Sequence, residues 1–174
     1  MNHQISTNKN SIREATCFKS LGGGVFMYDS YEINDDTLLL LSVSEEITKV
    51  IETSTTFFVN KSSKKIIDDS CRYFGSTYEG RIEGTKNLIG MTYKLPIIIE
   101  ETKEIVFFPT CSPRQKECNW VSLNNIVDYT RNGKKTQVKF KTNVVIDLDM
   151  SYGSFENQIF RSTMLLMNLK KRKK

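Results

Sequence analysis

Along this chain the hydrophobic positions gather into short clusters of strand length, and only the C-terminal stretch keeps a helical period. Thr37–Val43 is an aliphatic run suited to a buried strand, preceded by the turn chemistry of Asn34-Asp35-Asp36. Glu45–Glu52 reads as a short helix or an irregular segment. Thr55–Asn60, β-branched and aromatic, predicts a strand, and Lys64–Asp69, with Ile66-Ile67, reads as leading into a second one. Ile97–Ile99 and Ile105–Phe108 predict a hairpin around the acidic Glu100–Glu104 loop, and Pro96 disfavours helix at Leu95. Pro109 and Pro113 then impose an irregular loop.

Ile126–Asp149 carries the clearest local pattern. Asn132-Gly133 is a hairpin-turn signal. Val138 and Phe140 alternate with Gln137, Lys139 and Lys141, and after a second turn near Thr142-Asn143, Val144, Ile146 and Leu148 alternate with Val145, Asp147 and Asp149. This predicts a three-stranded meander with one apolar face, Lys139 and Lys141 pointing away from it. Ser154 is the predicted N-cap of a final helix, with Glu156 near its positive end. Phe155, Ile159, Leu166 and Leu169 recur at near-helical spacing, and Phe160, Met164, Leu165 and Met167 widen the apolar surface. Such a helix packs on the sheet and, through Phe155, Ile159 and Leu166, is expected to meet a second copy of the chain. The pattern as a whole predicts an α+β fold: a single domain with a mainly antiparallel β-sheet and a C-terminal helix. Residues 1–28 read as a flexible N-terminal segment with a joint at Gly22-Gly23-Gly24, 29–169 as the domain, and 170–174 as a basic tail.

Charge changes this picture. The chain of 174 residues carries a net charge of +5. Met1–Asn60 holds four basic and eight acidic residues, whereas Lys61–Lys174 holds 21 basic and 12 acidic ones. A basic body suggests a polyanionic partner. No run approaches the roughly 20 apolar residues of a membrane-spanning helix, and Met1–Asn10 is polar, so a cytoplasmic protein without membrane attachment is expected. Cys17, Cys71, Cys111 and Cys118 include no Cys-x-x-Cys pair, so no metal is expected and reduced thiols are the simpler reading. The single histidine, His3, lies in a polar terminus, which removes histidine-based catalysis. The glycine triplet lacks dinucleotide-loop context. Neither a cofactor nor enzymatic activity is expected: Asp68, Asp69, Glu79 and Glu83 offer carboxylates near arginine, but not the pattern of an acid–base pair.

The segment Ser70-Cys-Arg-Tyr-Phe-Gly-Ser-Thr-Tyr-Glu-Gly-Arg81 carries the strongest chemical signal. It reads as a loop or helical turn presented by strands. Arg72 and Arg81 offer planar forks of donors for phosphates and base edges, with Tyr73, Phe74 and Tyr78 beside them. In the plainer alternative the aromatics are core and the arginines pair with Asp68, Asp69 or Glu79. Arg114 and Lys116 occupy the proline-bounded Cys111–Cys118 loop, suited to phosphate or minor-groove contact. Lys139 and Lys141, with Lys134 and Lys135, form either a phosphate stripe or a solvated strand face. Arg161, in the final helix, is a further candidate for DNA, a partner or the sheet. Trp120 is either a buried anchor or a stacking surface.

The Ser70–Arg81 segment also resembles the most recognisable block of the bacterial competence transcription factor family, ComK. Further matching blocks follow in order: Lys94–Ile99, then Phe107–Thr110 running on to Cys118–Ser122, then Ser151–Gln158. The likeness spans about Phe57 to Arg161. It implies a DNA-binding activator that recognises paired AT-rich boxes, largely through the minor groove, as dimers assembling in pairs, and that favours RNA polymerase at competence promoters. In the minor groove A·T and T·A look alike, so width and negative potential are read, and arginine suits both. No segment has the usual helix-turn-helix look. The resemblance also implies a protease adaptor as a partner, although nothing here matches the longer C-terminal tail that relatives present to it. Asn119 stands where glycine is expected before the tryptophan, and residues up to about Asp29 do not resemble the family. Two other classes stay open: a single-stranded nucleic-acid binder stacking bases on Tyr73, Phe74 and Trp120, and a protein-interaction module that has lost DNA binding.

Overall fold

The computed structural model describes residues 15–18 and 25–172. His3, the Gly22–Gly24 joint and Lys173 and Lys174 of the basic tail lie outside the described residues. The fold is α+β. Eight strands form one sheet: β1 (Ala15–Phe18), β2 (Val25–Tyr28), β3 (Thr37–Ser42), β4 (Thr48–Glu52), β5 (Thr56–Val59), β6 (Ile97–Glu100), β7 (Ile105–Pro109) and β8 (Trp120–Ser122). Their order is β1-β2-β5-β4-β3-β8-β7-β6. The β2–β5 pair is parallel and the other neighbours are antiparallel. A second sheet holds β9 (Ile126–Asn132), β10 (Lys135–Phe140) and β11 (Val145–Leu148), in the order β11-β10-β9. The helices are α1 (Ser63–Tyr73), α2 (Tyr78–Ile89) and α3 (Tyr152–Arg172).

Both faces of the large sheet are covered at its central strands, which are apolar throughout rather than alternating. Successive residues serve opposite faces: Leu40, Val50, Phe107 and Trp120 enter the core beneath α1 and α2, while Leu39, Ile51, Phe108 and Val121 enter the core beneath the small sheet and α3. An irregularity in register between Thr37 and Leu39 lets Leu38 join Leu39 on the second face. A third cluster joins Ile89 of α2 and Leu165 of α3 to Ile98 and Val106 at the β6 end. There Ile82 touches two cores, α2 packs on β6 and α3, and Asn168 Nδ2 donates to the Leu88 carbonyl at 2.8 Å.

Several segments depart from the sequence reading. Lys64–Asp69 is helix, not strand: Ser62 caps α1 by accepting the Lys65 N–H at 3.2 Å, and Ile66, Ile67, Ser70 and Cys71 are buried on one side. The Ser70–Arg81 segment is therefore the end of α1, a four-residue turn and the start of α2. Gly75 adopts φ +78° in that turn, which a side chain would resist. Thr77 caps α2 and Gly90, at φ +68°, ends it. A helix pair joined by a short turn thus stands where none was expected. Glu45–Glu52 contains β4 rather than helix. In α3 the cap is Ser151, whose Oγ accepts the Ser154 N–H at 3.3 Å, so Ser154 lies inside the helix and Glu156 falls beyond the first turn. Two strands, β1 and β2, fall within residues 1–28, which the composition marks as flexible. The β6–β7 hairpin and the β9–β10–β11 meander follow the sequence reading, with Gly133 at φ +61° in the first turn and Asn143 at φ +60° in the second.

Candidate nucleic-acid interface

Tyr78, the first residue of α2, organises the helix layer. Its ring lies under Lys64 Nζ at 5.1 Å and edge-on to Trp120 at 6.2 Å. Its backbone N–H donates to Asp68 Oδ1 at 3.0 Å, while Asp68 Oδ2 accepts from Arg72 Nε at 2.9 Å. One carboxylate thus ties the start of α2 to the last turn of α1. Partial burial alone would raise the Asp68 carboxyl, but the Tyr78 N–H and the Arg72 guanidinium outweigh it and hold it below the usual aspartate range. Asp69 is held low in the same way, against burial, by Lys61 and Lys65 at 2.7 Å each. Arg72 is 56% exposed and Tyr73 70% exposed, with Phe74 packed edge-on behind it at 5.0 Å. The helix pair therefore offers solvent an oriented guanidinium and an aromatic ring side by side.

Arg81 turns the other way. Its side chain is only 15% exposed, Nη1 bonds Glu101 Oε1 at 2.6 Å, and Nε is buried without a partner. This pairing, absent from the sequence reading, makes Arg81 a strut between α2 and the β6–β7 turn rather than a surface probe.

Arg114 and Lys116 share an exposed loop that the fold grips at several points. Ser63 Oγ donates to the Cys118 carbonyl at 2.8 Å and Ser42 Oγ to the Lys116 carbonyl at 2.6 Å. Asn119, the departure from the expected glycine, accepts the Ser42 N–H on its Oδ1 at 2.9 Å. Lys116 Nζ pairs with Glu45, while Arg114 has no ion pair among the described residues. Because Ser63 opens α1, the loop adjoins the helix layer. Lys64, Arg72, Tyr73, Arg114 and Lys116 thus belong to neighbouring elements on one side of the large sheet.

The remaining candidates lie elsewhere. Lys139 is exposed on the outer face of β10, directly across from Asp128 on β9, and Asp147 faces neighbouring Gln137. That face is mixed in charge, not a basic stripe. Lys141 lines a polar cleft of about 180 Å³ with Asn34, Lys103, Ser122 and Asn125. Arg161 Nη1 donates to the Tyr93 carbonyl at 2.7 Å, fixing the chain before β6. Phe155 is fully buried against Phe108 and Tyr129, and so is unavailable to a second subunit; Ile159 and Leu166 are partly buried. The apolar groups that α3 does expose are Phe160, at 61%, and Met167, at 54%. Of the three proposed stacking surfaces only Tyr73 is open, since Trp120 is fully buried and Phe74 packs on the core. Lys64 is a basic residue the sequence reading missed; its signal is its place in the first turn after the Ser62 cap, legible only once α1 is recognised as a helix.

Among the described residues no three histidine, cysteine or acidic side chains converge as metal ligands, and no helix is long and apolar enough to cross a membrane. The architecture is that of an α+β domain with exposed basic and aromatic side chains on a helix pair and one adjacent loop. Residues 28–174 match the family described as ComK protein. A Bacillus subtilis (strain 168) protein described as "Competence transcription factor" is 36% identical over 143 residues, covering 79% of this chain and 73% of the relative. The chain belongs to the ComK family. No solved structure matches it.

Proposed function

We propose that this protein is a cytoplasmic competence-type transcription activator that binds AT-rich duplex DNA, largely through the minor groove, as an oligomer. The observation that carries the reading is the exposed Arg72–Tyr73 pair at the turn of the helix layer, in a chain similar to a protein described as a competence transcription factor. Docking begins with charge attraction to phosphates. Arg72 and the Arg114–Lys116 loop enter narrow A-tract grooves, where negative potential is concentrated. Arg72 exchanges Asp68 for DNA at little cost, because a solvent-exposed ion pair is screened and contributes little to stability. Lys139, Lys141 and Arg161 lie outside this face and act at most on flanking phosphates. The subunit contact uses the Ile159–Leu166 stretch of α3 with exposed Phe160 and Met167, and repeated DNA boxes suit such a symmetric oligomer. RNA polymerase is the downstream partner, and a protease adaptor a further one. We assign no catalytic step and no cofactor.

Fluorescence anisotropy on a duplex with two A-tract/T-tract boxes, beside a GC-rich duplex and a single strand, across a salt series, tests this. Selective binding to the AT-rich duplex that weakens log-linearly with salt is expected. Equal weak binding to both duplexes would leave the interaction-module reading in its place. A preference for the single strand would favour stacking on Tyr73.

A further inference from the structure

We propose that Cys111 and Cys118 form a reversible oxidation site, converted by a peroxide into an intrachain disulfide that ties off the Ser112–Glu117 loop. The β7–β8 register pairs Phe108 with Val121 and Pro109 with Trp120. Continued outward, it sets Thr110 opposite Asn119 and Cys111 opposite Cys118. Thr110 N–H donates to the Asn119 carbonyl at 2.9 Å and Asn119 N–H to Thr110 Oγ1 at 3.1 Å, so Thr110–Asn119 occupies the hydrogen-bonded position of the continued register and Cys111–Cys118 the next, non-bonded one. At such positions the Cα atoms of an antiparallel pair approach to about 4.5 Å, within the span a disulfide requires. The side chains fall on the same face: Cys118 Sγ reaches the Cys111 carbonyl at 3.5 Å, and both residues border the core that holds Trp120. Burial, with a further contribution from the neighbouring Cys111 thiol, pushes Cys118 up to about 12.

The accessibilities order the chemistry. Cys111 is partly exposed and Cys118 buried, so the peroxide meets Cys111 first. The Cys111 thiolate attacks the O–O bond, giving a sulfenic acid and, with one proton, water. The Cys118 sulfur then displaces the hydroxyl, which leaves as a second water with the Cys118 proton. Two thiols lose two electrons in total, the peroxide gains them, and a small-molecule thiol reverses the bond by exchange. In a reducing compartment the pair stays as thiols until an oxidant appears. The loop it would close carries Arg114 and Lys116, so an effect on DNA affinity rests on the proposed function, whereas the bond itself does not.

The full chain treated with hydrogen peroxide under native conditions, then alkylated and mapped by mass spectrometry, provides the test. The expected product is a Cys111–Cys118 linkage lighter by two hydrogens and restored by dithiothreitol. Tryptic cleavage after Arg114 and Lys116 should slow about fivefold, as local opening is suppressed. Cys111→Ser, at the less buried position, should lose both effects while remaining folded; Cys118→Ser carries the greater folding risk. Alkylation of both cysteines after peroxide, or a linkage through Cys71 instead, overturns the proposal. A disulfide that forms and slows cleavage while DNA anisotropy stays unchanged upholds the site and removes the loop from the DNA face.

Discussion

The two layers that cover the large sheet handle charge differently. In the helix layer Asp68 holds Arg72, Asp69 holds Lys61 and Lys65, and Glu101 holds Arg81, so each of these four cations has a set direction. In the small-sheet layer Lys139 and Lys141 are exposed and have no ion pair among the described residues; Asp128 is the register partner of Lys139 on β9. The helix layer also places an open tyrosine beside its outermost arginine, while the outer strand face mixes Val145 with Asp147 and Lys139. An oriented arginine needs little reorganisation to meet a groove, whereas a solvated lysine attracts phosphate without direction. Under the proposed function, this difference favours the helix pair for the specific contact and gives the small sheet a packing role beside α3.

That contrast can be broken most severely at Phe155. Phe155→Ala should cost about 3–5 kcal/mol, by loss of a fully buried ring and creation of a cavity. Urea denaturation measures it, and a loss below about 1 kcal/mol would mean the α3 layer is loosely docked. Next in size, Arg72→Ala should weaken binding to the AT-rich duplex about tenfold and lower the salt slope by about one, while Lys139→Ala should stay within about twofold. Equal effects would erase the distinction between the layers.

Asp68→Asn probes the link between the helices and should destabilise the fold by about 1–2 kcal/mol. It also tests pH. The folded carboxyls of Asp68 and Asp69 lie below their unfolded value of about 3.9. Their stabilisation is therefore present above that pH and is lost as pH falls through the folded values, because the unfolded chain takes up protons first. The acid limb of the stability curve should flatten in Asp68→Asn. The smallest effect is expected at Gly84, a helical glycine with open space where a Cβ would stand. Gly84→Ala should raise the melting temperature through about 0.5–1 kcal/mol of added stability. An unchanged or lower melting temperature would show that α2 is constrained by something other than its own helix propensity.

The small sheet was legible because its information is local. The Asn132-Gly133 turn, the alternation of Val138 and Phe140, and the turn at Asn143 fall within neighbouring residues, and the strands they join are consecutive. The helix layer was misread for the opposite reason. Adjacent Ile66 and Ile67 look like strand residues, yet with Ser70, Cys71 and Phe74 they form one buried side of a helix capped by Ser62. The helical period was present but was outweighed by β-branched chemistry. Arg72 and Tyr73 were readable as candidates by residue type. That Arg81 turns inward was not, because its partner Glu101 lies 20 residues away in a turn whose position depends on the sheet.

By itself, the sequence determined the class of fold, the aliphatic runs of the large sheet, the meander, the C-terminal helix and the segment that marks the family, since each depends on periodicity or on a contiguous motif. Tertiary structure alone decided which cations face solvent, that Phe155 is core while Phe160 is surface, that the start of α2 is tied to the end of α1 through Asp68, and that the Cys118 thiol reaches the Cys111 carbonyl. These outcomes depend on which elements meet across the large sheet. Burial and pairing between distant residues are set by that packing, and no local pattern encodes them.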